Sequence, residues 1–291
     1  MPTHEVSNTF KSLLIALALA SLLALTACDA PGALSDTPAT PVATTAANGS
    51  GQGGPAPQSA GGALPVSLAA AIERTRAMKT YRIAFDFEMG SETNGQKQTQ
   101  PFIVFDGDVK GDANHLTYHG GEFTDMLGGG TAVEMISIGG RTYLKGSTFF
   151  GSAEPNRWYY LPDNITQPPF SVDDILRLTG GDLSPARQTG TLTVDGLACG
   201  RWQADFAGHA TGLVDLTNPA DNKTDFNQID TASAQFSACA DGLVHEMQWN
   251  VVSHNATNPA DKASIAVTVH LRDFNAPSIV IAAPQGASEL K

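Results

Sequence analysis

The chain has 291 residues, a formal net charge of −12, 42% hydrophobic residues, 29 glycines and 17 prolines. That balance fits a globular domain joined to a flexible segment, not a disordered chain. The charge argues against a nucleic-acid partner, and against adhesion to anionic headgroups by charge alone, because both need clustered Lys and Arg.

Lys11 precedes an apolar run from Leu13 to Leu25. The run is too short to cross a bilayer of roughly 30 Å and has the length of a secretory h-region. It ends in Leu25-Thr26-Ala27-Cys28. Small residues before a cysteine fit a peptidase that cuts on the amino side of that cysteine, and the stretch resembles the bacterial lipobox. It implies that residues 1–27 are a signal peptide and that Cys28 becomes a lipidated N-terminus carrying diacylglycerol and palmitate. The other reading is an ordinary signal with a chance cysteine. Removal leaves 264 residues (291 − 27). Glu5 and Lys11 cancel, so the mature chain also carries −12. No second run of about 18 apolar residues follows. The acyl chains are then the expected anchor, with the protein on the extracytoplasmic face of a cell membrane.

Residues 29–62 are almost entirely Ala, Pro, Thr, Gly, Ser, Asn and Gln. Such a stretch cannot bury enough apolar surface to offset its ordering entropy, so residues 28–63 are read as the lipidated cysteine plus a tether. Residues 64–291 are the folded domain. Its first helix is expected over residues 65–79, where Leu68, Ala71, Ile72, Thr75 and Met78 recur at helical spacing. Ser67 can cap it, and Arg74, Arg76 and Lys79 suit its C-terminal end.

Residues 81–89 then alternate. Tyr81, Ile83, Phe85, Phe87 and Met89 fall on one face, with Arg82, Asp86 and Glu88 on the other. Asn94-Gly95, Gly139-Gly140, Asp195-Gly196 and Asp241-Gly242 are turn signals. Further strands are expected at residues 102–105, 116–118, 133–138, 142–144, 158–161, 191–194, 202–206, 232–236, 243–252 and 265–271. A second short helix is expected over residues 171–178. The total is about ten strands, each with one apolar face, and two short helices. Sequential hairpins favour an antiparallel sheet. Two helices cover only part of such a face, so the fold class is mainly β (α+β), and the sheet either closes on itself or leaves a cavity. By alternation the cavity wall is Phe85, Phe87, Met89, Met135, Met247 and Trp249.

Cys199 and Cys239 are read as a disulfide because an exported protein sits where such bonds persist. Two free buried thiols are the alternative.

Catalytic chemistry finds no footing. There is no Gly-x-Ser-x-Gly elbow, P-loop or His-Glu-x-x-His. Residues 106–112 resemble a calcium loop but place Lys110 and Thr117 where ligands belong, and read as a turn between strands. His115 and His119 share a strand face about 13 Å apart, too far for one metal. His245 sits in an apolar alternation and reads as a packed core histidine. No enzyme activity, cofactor or metal is expected.

The signal, the linker, the helix and Tyr81-Arg82-Ile83-Ala84-Phe85-Asp86-Phe87 are followed by Val133-Glu134-Met135-Ile136-Ser137-Ile138-Gly139-Gly140-Arg141-Thr142-Tyr143-Leu144-Lys145 and Trp158-Tyr159. Gly190-Thr191-Leu192-Thr193-Val194-Asp195-Gly196 and Asp273-Phe274-Asn275 complete the pattern. Together they resemble the LppX/LprA/LprF/LprG lipoprotein family, and more distantly the LolA/LolB carriers and the sensor RseB. The resemblance covers roughly residues 66–284. It implies a curved antiparallel half-barrel around a hydrophobic cavity closed by helices, and a lipoprotein that binds, and in some members moves, an acylated lipid or glycolipid. The alternative is an extracytoplasmic interaction or sensory module of the same fold, with a protein partner and no lipid transport.

Overall fold

The computed structural model describes residues 67–128, 132–146, 154, 156–161, 185–206 and 228–290. Helix α1 (Leu68–Ala77) opens the domain. The Ser67 side chain accepts from the Ala70 N–H at 3.2 Å, a cap worth about 1 kcal/mol. Arg74 and Arg76 lie in its last turn. Leu68, Ala71, Ile72 and Thr75 are its buried stripe. Thr75 Oγ1 donates to Ala71 O and accepts from the Val244 N–H, each at 2.8 Å, which pins the helix to the sheet.

Among the described residues twelve strands follow in one sheet. They are β1 (Thr80–Thr93), β2 (Gln96–Lys110), β3 (Ala113–Gly120), β4 (Val133–Ile138), β5 (Arg141–Lys145) and β6 (Tyr159–Tyr160). Then come β7 (Arg187–Val194), β8 (Leu197–Asp205), β9 (Gln228–Cys239), β10 (Val244–His254), β11 (Lys262–Arg272) and β12 (Ser288–Glu289). The order is β12-β6-β5-β4-β3-β2-β1-β11-β10-β9-β8-β7. Every pairing is antiparallel except β12 with β6. Among the described residues β12 and β7 do not pair, so the sheet is open.

The short α2 (Glu122–Gly128) lies between β3 and β4. Its position was not expected, and the helix expected over residues 171–178 lies outside the described residues. The strand β12 was also not expected, and most strands run a few residues longer than the sequence suggests.

The hairpins are closed by the turns expected of them. Asn94 and Gly95 have φ of 54° and 77°, and Asp195 and Gly196 have 50° and 78°, the positive pair a tight type I′ connection requires. Residues 106–110 are strand, not loop, and Gly111-Asp112 makes the turn.

The two ends of the sheet differ. Short turns at residues 111–112, 139–140, 195–196 and 240–243 share the end where β1 begins. The opposite end carries the Asn94-Gly95 and 255–261 turns, the ends of β3, β5 and β8 and the starts of β4, β6 and β9, which are joined in sequence by long connections.

Curvature has a local cause at Gly107, which stands between Ile83 of β1 and Leu116 of β3. A Cβ there would meet the His115 carbonyl oxygen and lie 2.8 Å from Leu116 Cα. The absent side chain lets β3 fold over β2.

Cys199 and Cys239, cross-strand partners on β8 and β9, form a disulfide and are fully buried. Their separation of 40 residues corresponds to a chain-entropy contribution of roughly 3–4 kcal/mol.

Gly107→Ala is expected to destabilise the domain by about 1–3 kcal/mol, the usual range for overpacking. The check is a thermal unfolding scan. An unchanged Tm would show that β2 and β3 have room to separate.

Candidate functional site

The strand registers assemble one face of side chains. In one row Val133, Tyr118, Phe105 and Phe85 continue into Val269, Met247, Phe236 and Trp202. A second row carries Ile103, Phe87, Val267, Trp249, Ala234 and Ala204. A third holds Met89, Ile265, Val251 and Ala232. Nearer the short-turn end run Leu144, Met135, Leu116, Gly107, Ile83 and Leu271. No charged side chain interrupts these four rows.

All six residues expected at a cavity wall therefore lie on this one face, but not in equal surroundings. Trp249 and Met247 are 0% and 1% exposed, packed against Phe236 and their row neighbours. Met135 is also buried. On β1, Tyr81 and Ile83 are buried at 3% and 1%, whereas Phe85, Phe87 and Met89 are only half-buried. Ile103 and Tyr118 beside them are half-buried too. Accessible apolar surface thus lies on β1 to β3 and grows toward the end with the long connections.

Aromatic rings dominate that region. Phe85 stacks on Phe105 at 4.9 Å, Phe105 meets Tyr118 at 5.2 Å, and Tyr118 meets Phe123 of α2 at 5.5 Å. Phe87 stands edge-on to Phe102 at 5.6 Å. Alternation pointed to Phe85 and Phe87. It could not point to Tyr118 or Phe123, because a tyrosine in a short strand and a phenylalanine beside two glycines carry no distinguishing signal.

The opposite face is polar and ion-paired. Arg82 donates to Asp108 at 3.1 Å and to Asp273 at 2.9 Å. The hydrogen bond and charge of Asp108 raise its pKa further. Glu134 accepts from Lys145 at 2.7 Å and lies 3.3 Å from His115. The Lys145 bond chiefly holds its carboxyl below the usual range. His119 sits 3.2 Å from Asp106, so the two histidines of β3 serve separate carboxylates.

His245 departs from its expected place. A register shift between Val244 and Glu246 takes it out of the apolar alternation. Its Nδ1 is 3.1 Å from Asp195 Oδ2 and its Nε2 is 3.0 Å from Asp241 Oδ2. His270 Nε2 shares Asp195 Oδ2 at 2.9 Å. It is buried as expected, edge-on to the Phe274 ring at 5.2 Å, but with a carboxylate on each ring nitrogen. Burial would raise the Asp195 carboxyl, yet the hydrogen bonds from His245 and His270 outweigh it and hold the pKa below its ordinary value. Among the described residues no group of three or more His, Cys, Asp or Glu forms a metal site, and no helix is long and apolar enough to cross a membrane.

No protein-family model matches the chain, and no match is found among curated proteins. Solved structures resemble it. The lipoprotein LppX of Mycobacterium tuberculosis is 13% identical, with 74% of this chain and 95% of that one covered and a TM-score of 0.40. LprF of Mycobacterium bovis is 14% identical, with 74% and 94% covered and a TM-score of 0.40. A LolA-superfamily protein of Nitrosomonas europaea is 7% identical over 71% of this chain and 92% of that one, with a TM-score of 0.23. At such identity and such scores the resemblance carries no function across.

Because Asp195 is depressed, its contribution to stability is fully present above the ordinary carboxylate value of about 4 and is lost as pH falls below it. Wild type is expected to lose more stability than Asp195→Asn between about pH 5 and pH 3. Equal losses in denaturant titrations at the two pH values would show that Asp195 does not report on folding.

Proposed function

We propose that the domain binds an acylated lipid or glycolipid against the apolar face of its sheet, and that the protein is held to a membrane through Cys28. The observation that carries the reading is the accessible apolar surface of Phe85, Phe87 and Met89 at the centre of a twelve-stranded sheet. Three large apolar side chains in mid-sheet are normally the best-covered part of a fold. Partly open to solvent, and continuous with rows that hold no charge, they suit a hydrocarbon ligand.

Phe85, Phe87 and Met89 would touch the chains directly. Met135, Met247 and Trp249 would form the packed wall beside them. Burying one acyl chain there is favourable by about 0.8 kcal/mol for each methylene removed from water. Among the described residues the four rows hold no charged side chain, which suits the binding of a neutral chain.

The anchor rests on the residues that precede the domain. Residues 29–62 have the composition of a flexible chain, whose root-mean-square reach is about 30 Å at this length. A single acyl chain gives only reversible attachment, whereas a diacylated cysteine supplies the second chain that stable anchoring needs. The domain would thus stay near a bilayer from which it draws its ligand.

Residues 64–291 expressed without the anchor in a lipid-rich host are expected to co-purify with a stoichiometric acylated species, read by mass spectrometry. A lipid-free protein that takes up no fluorescent acyl probe would overturn the reading. Cys28→Ala in the full chain is expected to shift the protein from the membrane fraction to the soluble fraction. Its retention with membranes would refute the anchor.

A further inference from the structure

The two edges of the sheet are unequal. β12 has two residues, whereas β7 has eight and is the last strand in the order. Every residue of β7 is exposed except Leu192 and Val194, which are half-buried. Residues 188–194 read Gln-Thr-Gly-Thr-Leu-Thr-Val, without a charge or a proline. Charges, prolines or a covering segment usually blunt an edge of this length, because its unpaired backbone is a template for another strand. A bulge between Gln188 and Gly190 is a further blunting device, but it leaves residues 190–194 in regular register.

That register shows which backbone groups point off the edge. Thr193 stands opposite Ala198, Leu192 opposite Cys199 and Thr191 opposite Gly200. The Ala198 carbonyl accepts from the Ala240 N–H at 2.9 Å, on the side away from β7. Thr193 and Ala198 are therefore a non-hydrogen-bonded pair, and so are Thr191 and Gly200 two residues along. The N–H and C=O groups of Thr191 and Thr193 point outward, while those of Leu192 face β8. Among the described residues no strand pairs with them on that side.

We infer that β7 is a strand-addition site, and that its occupant is β7 of a second copy of this chain in antiparallel pairing. A twofold axis at Leu192 fits the strand to itself. It sets Leu192 opposite the second copy's Leu192, Thr191 opposite its Thr193, and Gly190 opposite its Val194. The two threonine pairs are the ones whose backbone groups point outward, so each exchanges two hydrogen bonds across the axis. Threonine opposite threonine is also a favourable side-chain pair. The charges at the strand ends agree with this direction. Arg187 opens β7 and Asp195 follows it, so antiparallel pairing brings each Arg187 toward the other copy's Asp195. Parallel pairing would set like ends together. With no charge between these ends, two chains that each carry −12 can meet along this strand. The inference does not depend on the acyl-lipid reading.

The test uses the full chain in detergent at about 100 µM, where a complex of micromolar affinity is mostly formed. Light scattering with the detergent mass subtracted is expected to give a dimer. Thr191→Lys combined with Thr193→Lys sets like charges opposite in both threonine pairs and is expected to weaken the dimer about tenfold or more. Thr191→Glu combined with Thr193→Lys sets opposite charges in the same pairs and is expected to dimerise at least as well as wild type. Both variants change exposed side chains, and an unchanged Tm shows that they fold. Wild type alone gives a second readout: amide exchange at Thr191 and Thr193 is expected to be slow at this concentration and to speed up on dilution. Exchange that does not change on dilution overturns the inference. So does a monomeric wild type, which leaves a foreign extended chain as the occupant to look for. A dimer that both variants leave intact, or that both weaken equally, overturns it as well, because the copies then meet elsewhere or in another register.

Discussion

A single face of side chains, running from Leu144 across nine strands to Trp202 and Ala204, has to be kept from water, and most of the structure answers to that requirement. A sheet this wide buries one face only by curling or by being covered. Both devices are present. Gly107 lets β3 close over β2, and α1 lays Leu68, Ala71 and Ile72 onto the face at the short-turn end, locked there by Thr75 and Val244. The covering is unequal. It is complete over β9 to β11 and incomplete over β1 to β3, where Phe85, Phe87 and Met89 remain in reach of solvent.

The reverse of the sheet follows opposite rules. There the chain sets carboxylates against arginine, lysine and histidine at distances near 3 Å, on groups that, His245 apart, stay partly exposed. Pairs of that kind contribute little stability one by one. They fix strand ends and turns relative to one another instead. Arg82 ties β2 to the segment after β11, and Asp195 ties the β7–β8 turn to His245 of β10 and His270 of β11.

Much of this was legible in the sequence because the signals are short-range. Period-two alternation marked β1, β10 and β11, and Asn-Gly and Asp-Gly marked the hairpins, since only residues tolerant of positive φ close such turns. What stayed hidden depends on distant partners. The seven-residue α2 begins after Gly120-Gly121 and is held by packing on β2 to β4, so no cap or long periodic run announces it. The two residues of β12 are strand only because β6 lies beside them. His245 fits the alternation until a bulge turns it toward Asp195 and Asp241. For the site, alternation assigned six residues to one face. It could not rank them by accessibility, because that depends on which neighbours cover each.

The open edges of the sheet bear on how the interior can change size. A barrel closed by a continuous ladder has a circumference fixed by its strand number and shear, and widening it means breaking hydrogen bonds. Here the terminal strands have eight and two residues and are not hydrogen-bonded to one another among the described residues. The seam between them carries no ladder to break. The distance across it is free to grow or shrink by a change of twist spread over many strand pairs, each moving slightly. An interior bounded in this way changes size at little elastic cost, while the disulfide between β8 and β9 keeps the strands nearest the β7 edge in register.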